Sequence, residues 1–440
     1  MTSTISPARV AAFEALKQIE DGKFSSLALS QQEIQLSPLD RALCHELVMG
    51  VLRWQLQLDC IIEHLAQRKI DSLDPPVIRA LRLGIYQLRF LSRVPASAAV
   101  NESVNLVARA RVSSARSFVN AVLRRATREP DYSPSVNISD PLERIAVETS
   151  HPRWLIERWS RAFGAEPAGA FARANNETPL TAIRVVSSIG DEETALAQLR
   201  SSGATLSRSE VAASAWRVSG AAAKLRELAV TGAIYIQDEA SQLVAEIVNA
   251  QPRERVLDFC AAPGGKTTMI AERAENGSVL AMDISERRLA LVAQTAELHR
   301  LRNIELLVGD AASSLSLKNE SFDRVLVDAP CSGTGTLRHN PEIRWRLTEN
   351  DIDELAKQQL RFLVNASMLV KRGGRLIYST CSVEPEENEG VVEQFLSVSD
   401  RFQQVSIPVN PQLLTSSGTV RTWPHRDGTD GFFVAAFRRI

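Results

Sequence analysis

Residues 255–274 read RVLDFCAAPGGKTTMIAERA. A short apolar run ends in an acid at Asp258, a turn-rich stretch follows, and from Lys266 the apolar residues recur at helical intervals. The paired Gly264 and Gly265 permit a tight turn and a close backbone approach where the helix begins. A strand that passes through such a loop into a helix is the opening unit of a nucleotide-binding sheet. The same alternation continues outward. SVLAMDI, IELLVG, FDRVLVDA and GGRLIYST are short apolar strands, and SERRLALVAQTAELHR and DELAKQQLRFLVNASMLV are helical. That order predicts a mostly parallel α/β sheet covered on both faces. The closing TVRTWPHRDGTDGFFVAAFRR reads as two strands around a turn at Gly428–Gly431, an antiparallel hairpin at the sheet's edge.

The rest of the chain differs in kind. A length of 440 residues predicts about three domains. Residues 1–130 read as an all-α bundle: AAFEALKQI, LDRALCHELVMGVLRW after the start signal Ser37–Pro38, and VIRALRLGIYQLRFL after Pro75 and Pro76. Asn101 and Ser114 are read as caps of two further helices. Residues 131–141 are a proline-containing linker, residues 142–235 a helical connector and small α+β module, and residues 236–440 the Rossmann-like α/β domain. In the module TAIRVVSS and GAIYIQ are the expected strands. No apolar run approaches the 18 residues of a membrane span, and the N-terminus lacks the pattern of a signal peptide. Five scattered cysteines without a C-x-x-C pair argue against a disulfide scaffold or structural zinc and fit a cytoplasmic protein without a metal.

Net charge is −1, but it is unevenly spread. Residues 79–128 hold ten arginines against one acid, Glu102. Isolated arginines fit a solvated helical face; ten nearly unopposed fit equally well a surface that meets phosphates. Arg116, Arg124, Arg125 and Arg128 are assigned to an exposed face of the last helix of the bundle.

The loop after Asp258 admits three ligands. Gly265-Lys266-Thr267 matches the end of a P-loop, but the first glycine of that motif would fall at Cys260. No G-x-G-x-x-G is present for a dinucleotide. A nucleoside cofactor without polyphosphate, such as S-adenosylmethionine, demands less of the loop. Asp283 ends the next strand and is placed to accept from a ribose diol, while Asp310 follows the third strand on the adenine side. Two of the five cysteines, Cys331 and Cys381, stand just beyond neighbouring strand ends, where the ligand of such a sheet sits. Singly each reads as a small buried hydrophobe; the pairing favours chemistry. Cys44 and Cys60 lie in helical patterns and read as core. His339, Arg344 and Trp345 follow the Cys331 loop and are read either as an RNA grip or as surface decoration; His425 is a weaker candidate.

DFCAAPGGKT at 258–267, DAPCSGTG at 328–335, and STCS at 379–382 followed by PEENE at 385–389 closely resemble the RNA 5-methylcytosine methyltransferases, an S-adenosylmethionine-dependent Rossmann-like family. QDEAS at 237–241 and DGFF at 430–433 also resemble it, and the N-terminal domain is similar to the RNA-binding NusB fold. Together these resemble the RsmB/Sun branch, over nearly the whole chain. Arg184-Val185-Val186 departs from the R-V-N common in the family, which leaves the role of that module open.

The resemblance implies that Cys260, Ala261, Ala262, Pro263, Gly264, Gly265 and Lys266, with Asp283, Asp310 and Asp328, hold S-adenosylmethionine. It implies that Cys381 is the nucleophile and that Cys331 assists product release. The implied substrate is a cytosine of 16S rRNA, position 967 in the usual rRNA numbering, presented by the RNA or by a partly assembled small subunit. A monomer with no DNA or membrane partner is expected. The chemistry requires such groups: carbon 5 of cytosine is a poor nucleophile until a thiolate adds at carbon 6. Asp328 is the candidate to bind the base edge, Lys266 either tunes the field or holds the loop, and Cys331 acts through its thiolate or a water. The base must leave its stack, which is cheapest in a loop. Two other readings stand beside this one: the same reaction on tRNA, and a non-catalytic RNA-binding or antitermination factor.

Overall fold

The fold is a computed structural model, which describes residues 5–313 and 317–440. The chain forms two compact units, Met1–Glu177 with His339–Arg346, and Thr178–Arg338 with Leu347–Ile440. Among the described residues no helix is long and apolar enough to cross a membrane.

The first unit is all helical. Its helices span Pro7–Glu20, Ser25–Gln32, Pro38–Arg53, Gln55–Ala66, Pro75–Phe90, Ala96–Arg109 and Arg116–Arg128, then Pro141–Thr149, Arg153–Phe163 and Ala165–Ala174. Ser37 caps as expected, its hydroxyl accepting from Asp40 N at 3.2 Å. The expected cap at Asn101 is corrected: Pro95 opens that helix and Asn101 lies inside it. Gly50 lets two helices meet, since a Cβ there would fall 1.9 Å from the Tyr86 ring. The connector helices over 141–174 pack in this unit, and Trp159 is buried there against Phe171.

The arginine-rich window is less open than its composition predicts. Arg79 pairs with Glu20, and Arg82 with Asp59 at 2.7 Å. Arg89 donates to the carbonyls of Glu129 and Tyr132. Arg125, expected on the exposed face, binds Glu129 at 2.7 Å and the carbonyl of Leu65. The acids that answer these arginines lie outside the window. Arg93, Arg109, Arg111, Arg116, Arg124 and Arg128 remain exposed.

His339–Arg346 corrects a second expectation. Arg344 is fully buried in the first unit, donating to the Ser150 carbonyl at 3.1 Å and to Asn176 Oδ1 at 2.9 Å. Trp345 Nε1 donates to the Leu52 carbonyl at 2.7 Å. Both are structural here, and only His339 of the three is exposed.

In the second unit the strands are β1 (Thr181–Val185), β2 (Thr205–Arg208), β3 (Ala215–Ser219), β4 (Ile234–Ile236), β5 (Arg255–Asp258), β6 (Ser278–Asp283), β7 (Ile304–Val308), β8 (Phe322–Asp328), β9 (Val370–Thr380), β10 (Phe402–Gln404), β11 (Val420–Arg421) and β12 (Phe433–Arg439). The module is an antiparallel sheet in the order β2-β3-β1-β4, with Leu199, Leu225 and Leu228 packed on Ile183 and Val218. The large sheet runs β10-β12-β9-β8-β5-β6-β7. The strands β9, β8, β5, β6 and β7 are parallel, and β12 returns antiparallel to β9. The expected terminal hairpin forms between β11 and β12, but β12 is not an edge: it lies between β9 and β10. Its Val434, Ala435, Ala436 and Phe437 are all buried, which an edge strand would not need.

Strand order reverses at β5, whose neighbours are β6 and β8. A crevice for ligands opens beyond the carboxyl ends of the strands at such a point.

Candidate active site

The loop after β5 is shaped by its two glycines. Gly264 has φ +106°, and a Cβ there would lie 3.1 Å from Val292 Cα. A Cβ on Gly265 would meet the Tyr235 ring at 2.9 Å. Ala261 N donates to the Met282 carbonyl at 2.8 Å, and Thr267 Oγ1 donates to Asp258 Oδ2 at 2.7 Å, so the loop is tied at both ends. Asp258 itself is buried with Oδ1 unpartnered, and burial pushes its pKa up to about 7.

That shift makes a stability forecast. An acid whose folded pKa exceeds its unfolded value of about 3.9 binds its proton more tightly in the folded state, so stability falls as pH rises from about 4 through 7. Asp258→Asn, which keeps an acceptor for Thr267, should remove that loss, worth about 4 kcal/mol as an upper bound. Melting temperatures of both forms between pH 5 and 8 check it: the wild type should fall relative to the variant, and parallel profiles would refute it.

Beyond β5, β6 and β8 lies a cavity of about 260 Å³ lined by Cys260, Asp283, Asp310, Asp328, Cys331 and Cys381. Asp283 accepts from Ser285 N at 3.0 Å and pairs with Arg288 at 3.3 Å. Asp310 accepts from Ala312 N and Ser313 Oγ, each at 2.9 Å. Ile284, 67% exposed, and Phe362 add apolar wall that the sequence reading did not assign. The donor set suits a nucleoside carrying a positive charge. Among the described residues three acids line the cavity, and the one basic lining residue, Arg288, is paired with Asp283. A polyphosphate would need free cations, and Lys266 is committed elsewhere.

Lys266 Nζ binds Asp328 Oδ2 at 2.8 Å, while Ser379 Oγ donates to Asp328 Oδ1 at 2.7 Å. Burial acts to lower the Lys266 pKa, but Asp328, with Cys381 and Asp258, outweighs it and holds the ammonium charged. Of the two roles left open for Lys266, the geometry therefore gives it a carboxylate partner between β5 and β8.

The sulfurs of Cys331 and Cys381 lie 3.2 Å apart, and both cysteines are free thiols. The hydrogen bond to Cys381, then burial, then the negative charges of Cys381 and Glu387 push the Cys331 thiol well up. Either sulfur can donate in this contact, so the two thiols share one hydrogen bond. Burial likewise keeps Cys260 protonated. The two cysteine loops are locked by backbone contacts: Gly335 N donates to the Cys381 carbonyl at 2.9 Å, and Gly431 N to the Gly335 carbonyl at 2.8 Å. A Cβ on Gly335 would lie 1.9 Å from Gly431 O, which gives the glycines of GTG and DGFF a shared reason.

The structure adds residues the sequence reading had not assigned. Arg184 of β1 is buried and reaches Glu272 at 2.7 Å and Thr268 Oγ1 at 2.8 Å, fastening the module to the helix that starts at Gly265. Breaking such a buried pair typically costs about 3–5 kcal/mol. Glu387, from PEENE, gathers donors from both cysteine loops.

Residues 245–438 match the family described as 16S rRNA methyltransferase RsmB/F. Residues 6–128 match the NusB family, and residues 151–223 the ferredoxin-like domain of RsmF/B-like methyltransferases. The chain is 35% identical to the probable ribosomal RNA small subunit methyltransferase B of Bacillus subtilis strain 168, over 97% of this chain and 98% of that one. The chain belongs to the RsmB/F family of 16S rRNA methyltransferases. To the ribosomal RNA small subunit methyltransferase B of Pseudomonas putida KT2440 it is 34% identical, with 98% of each chain covered. The solved structure of PH0851 superposes with a TM-score of 0.84 at 30% identity, covering all of both chains. The chain is an S-adenosylmethionine-dependent rRNA methyltransferase, and the N-terminal bundle, α+β module and Rossmann-like domain are the family's architecture.

Proposed function

We propose that this chain methylates carbon 5 of a cytosine in 16S rRNA through a covalent adduct with Cys381, assisted by Cys331 and Asp328. The observation that carries the reading is the pair of sulfurs 3.2 Å apart in the lining of a cavity suited to the cofactor. The 260–266 loop, Asp283 and Asp310 would hold S-adenosylmethionine, with Asp328 closing the site beside them. When bound, that group supplies an electrophilic methyl on a sulfonium.

The chain's own residues do the remainder. The Cys381 thiolate adds to carbon 6, which turns the carbon 5–carbon 6 double bond into a nucleophilic enamine. Asp328, held by Lys266 and Ser379, hydrogen-bonds the amino edge of the base and steadies charge as the adduct forms. Once Cys381 is bonded to carbon its negative charge is gone. The hydrogen bond to Cys381, the chief influence keeping Cys331 protonated, goes with it, so Cys331 can pass its proton to solvent water and act as a base. It then removes the carbon 5 proton; the double bond re-forms and Cys381 leaves as thiolate.

The reading includes cytosine 967 as the target, presented by 16S rRNA or a partly assembled small subunit, and a cytoplasmic monomer with no DNA or membrane partner. The exposed Arg93, Arg109, Arg111, Arg116, Arg124 and Arg128 support an RNA-facing helical unit. Bisulfite mapping of total RNA from cells with and without this chain tests the substrate. One 16S rRNA 5-methylcytosine should vanish without it; loss confined to tRNA would overturn the choice.

A further inference from the structure

Behind the two cysteines lies a buried polar cluster that the mechanism above does not use. Its centre is Glu387, fully buried, from the turn that follows β9. Oε1 accepts from Ser332 N at 2.9 Å and from Gln359 Nε2 at 2.8 Å. Oε2 accepts from the hydroxyls of Ser332 and Ser382. Ser332 follows Cys331 directly, and Ser382 follows Cys381. Gln359 Nε2 also donates to the carbonyl of Pro330, the residue before Cys331, at 2.9 Å. Tyr378 completes the frame, its hydroxyl donating to Gln359 Oε1 at 3.0 Å and to the Glu387 carbonyl. One carboxylate is therefore the shared acceptor of both cysteine loops.

We propose that Glu387 is a positioning residue for the methyl transfer, clamping the Cys331 and Cys381 loops so that their sulfurs meet on the base. The inference rests on the cysteine reading given above. The chemistry of the cluster requires a carboxylate. None of its four donors is charged, so burying this acid carries a desolvation cost that a merely structural contact would avoid with an amide. A carboxylate is acceptor-only and takes all four donors at once, whereas a glutamine would turn its amino group against one oxygen's worth of them. The two serine hydroxyls are 2.9 Å apart and both reach Oε2, so one carboxylate oxygen joins the two loops. A displacement on the order of 1 Å in reacting groups costs about a hundredfold in rate. The Glu387 charge also helps keep Cys331 protonated before the adduct forms, behind the larger effects of Cys381 and burial.

The test compares the wild type with Glu387→Gln, which preserves volume, on full-length protein with 16S rRNA and S-adenosylmethionine. Single-turnover methyl transfer should fall by about tenfold or more, while cofactor affinity stays close to wild type. Iodoacetamide at pH 8 should alkylate Cys331, read by peptide mass, about threefold faster in the variant because a nearby negative charge is removed. Unchanged transfer, unchanged alkylation, or a fall in transfer matched by an equal loss of cofactor binding would each overturn the proposal. A Cys381→Ala control separates the two ideas: if it stays active, the cysteine reading fails; if it is inactive and Glu387→Gln is not, only the clamp fails.

Discussion

Cys381→Ala should lose methyl transfer to 16S rRNA by about four orders of magnitude, because the sulfur assigned to add to carbon 6 is gone. Cofactor binding should survive, for the loop and acids that line the cavity are untouched. Measuring kcat and S-adenosylmethionine affinity on the same preparation separates lost chemistry from lost folding. An alanine variant that keeps wild-type transfer would remove Cys381 from the mechanism.

Cys331→Ala should behave in the opposite way, forming the bond to RNA and failing to break it. Without the second sulfur nothing is placed to take the carbon 5 proton, so Cys381 has no route off the methylated base. Turnover should fall by about a hundredfold or more, with a protein–RNA complex that survives denaturing electrophoresis. A variant that is slow but leaves free protein and free RNA would show that Cys331 serves another purpose.

The parallel half of the large sheet could be read from sequence for a physical reason. Strands such as β6 and β8 carry short buried apolar runs, and they end in Asp283 and Asp328, which line the crevice. The strands β2 and β3 left no such mark. β2 is a largely exposed edge of four residues, and β3, AWRVS, mixes an arginine with apolar groups. Charge was legible only as composition: Glu20, Asp59 and Glu129 neutralise arginines from positions outside the window in which those arginines were counted. The burial of Arg344 and Trp345 had no signal either, because polar residues that satisfy backbone carbonyls look the same in sequence as polar residues in water.

At the site, the sequence placed Cys331 and Cys381 beyond adjacent strand ends, and the structure sets them in contact. Lys266 and Asp328 stand 62 residues apart, so their ion pair could not be read from spacing. The same holds for Glu387 and Ser332, 55 residues apart, whose hydrogen bonds depend on how two loops fold back on one another.

The most direct test of covalent catalysis on 16S rRNA is to incubate Cys331→Ala with total cellular RNA and S-adenosylmethionine, isolate the denaturation-resistant complex, digest both components, and identify the linked peptide and nucleotide by mass spectrometry. The expected product joins Cys381 to a 5-methylated cytosine within a 16S rRNA fragment. A link through another cysteine, a fragment of tRNA, or no linked product at all would contradict it.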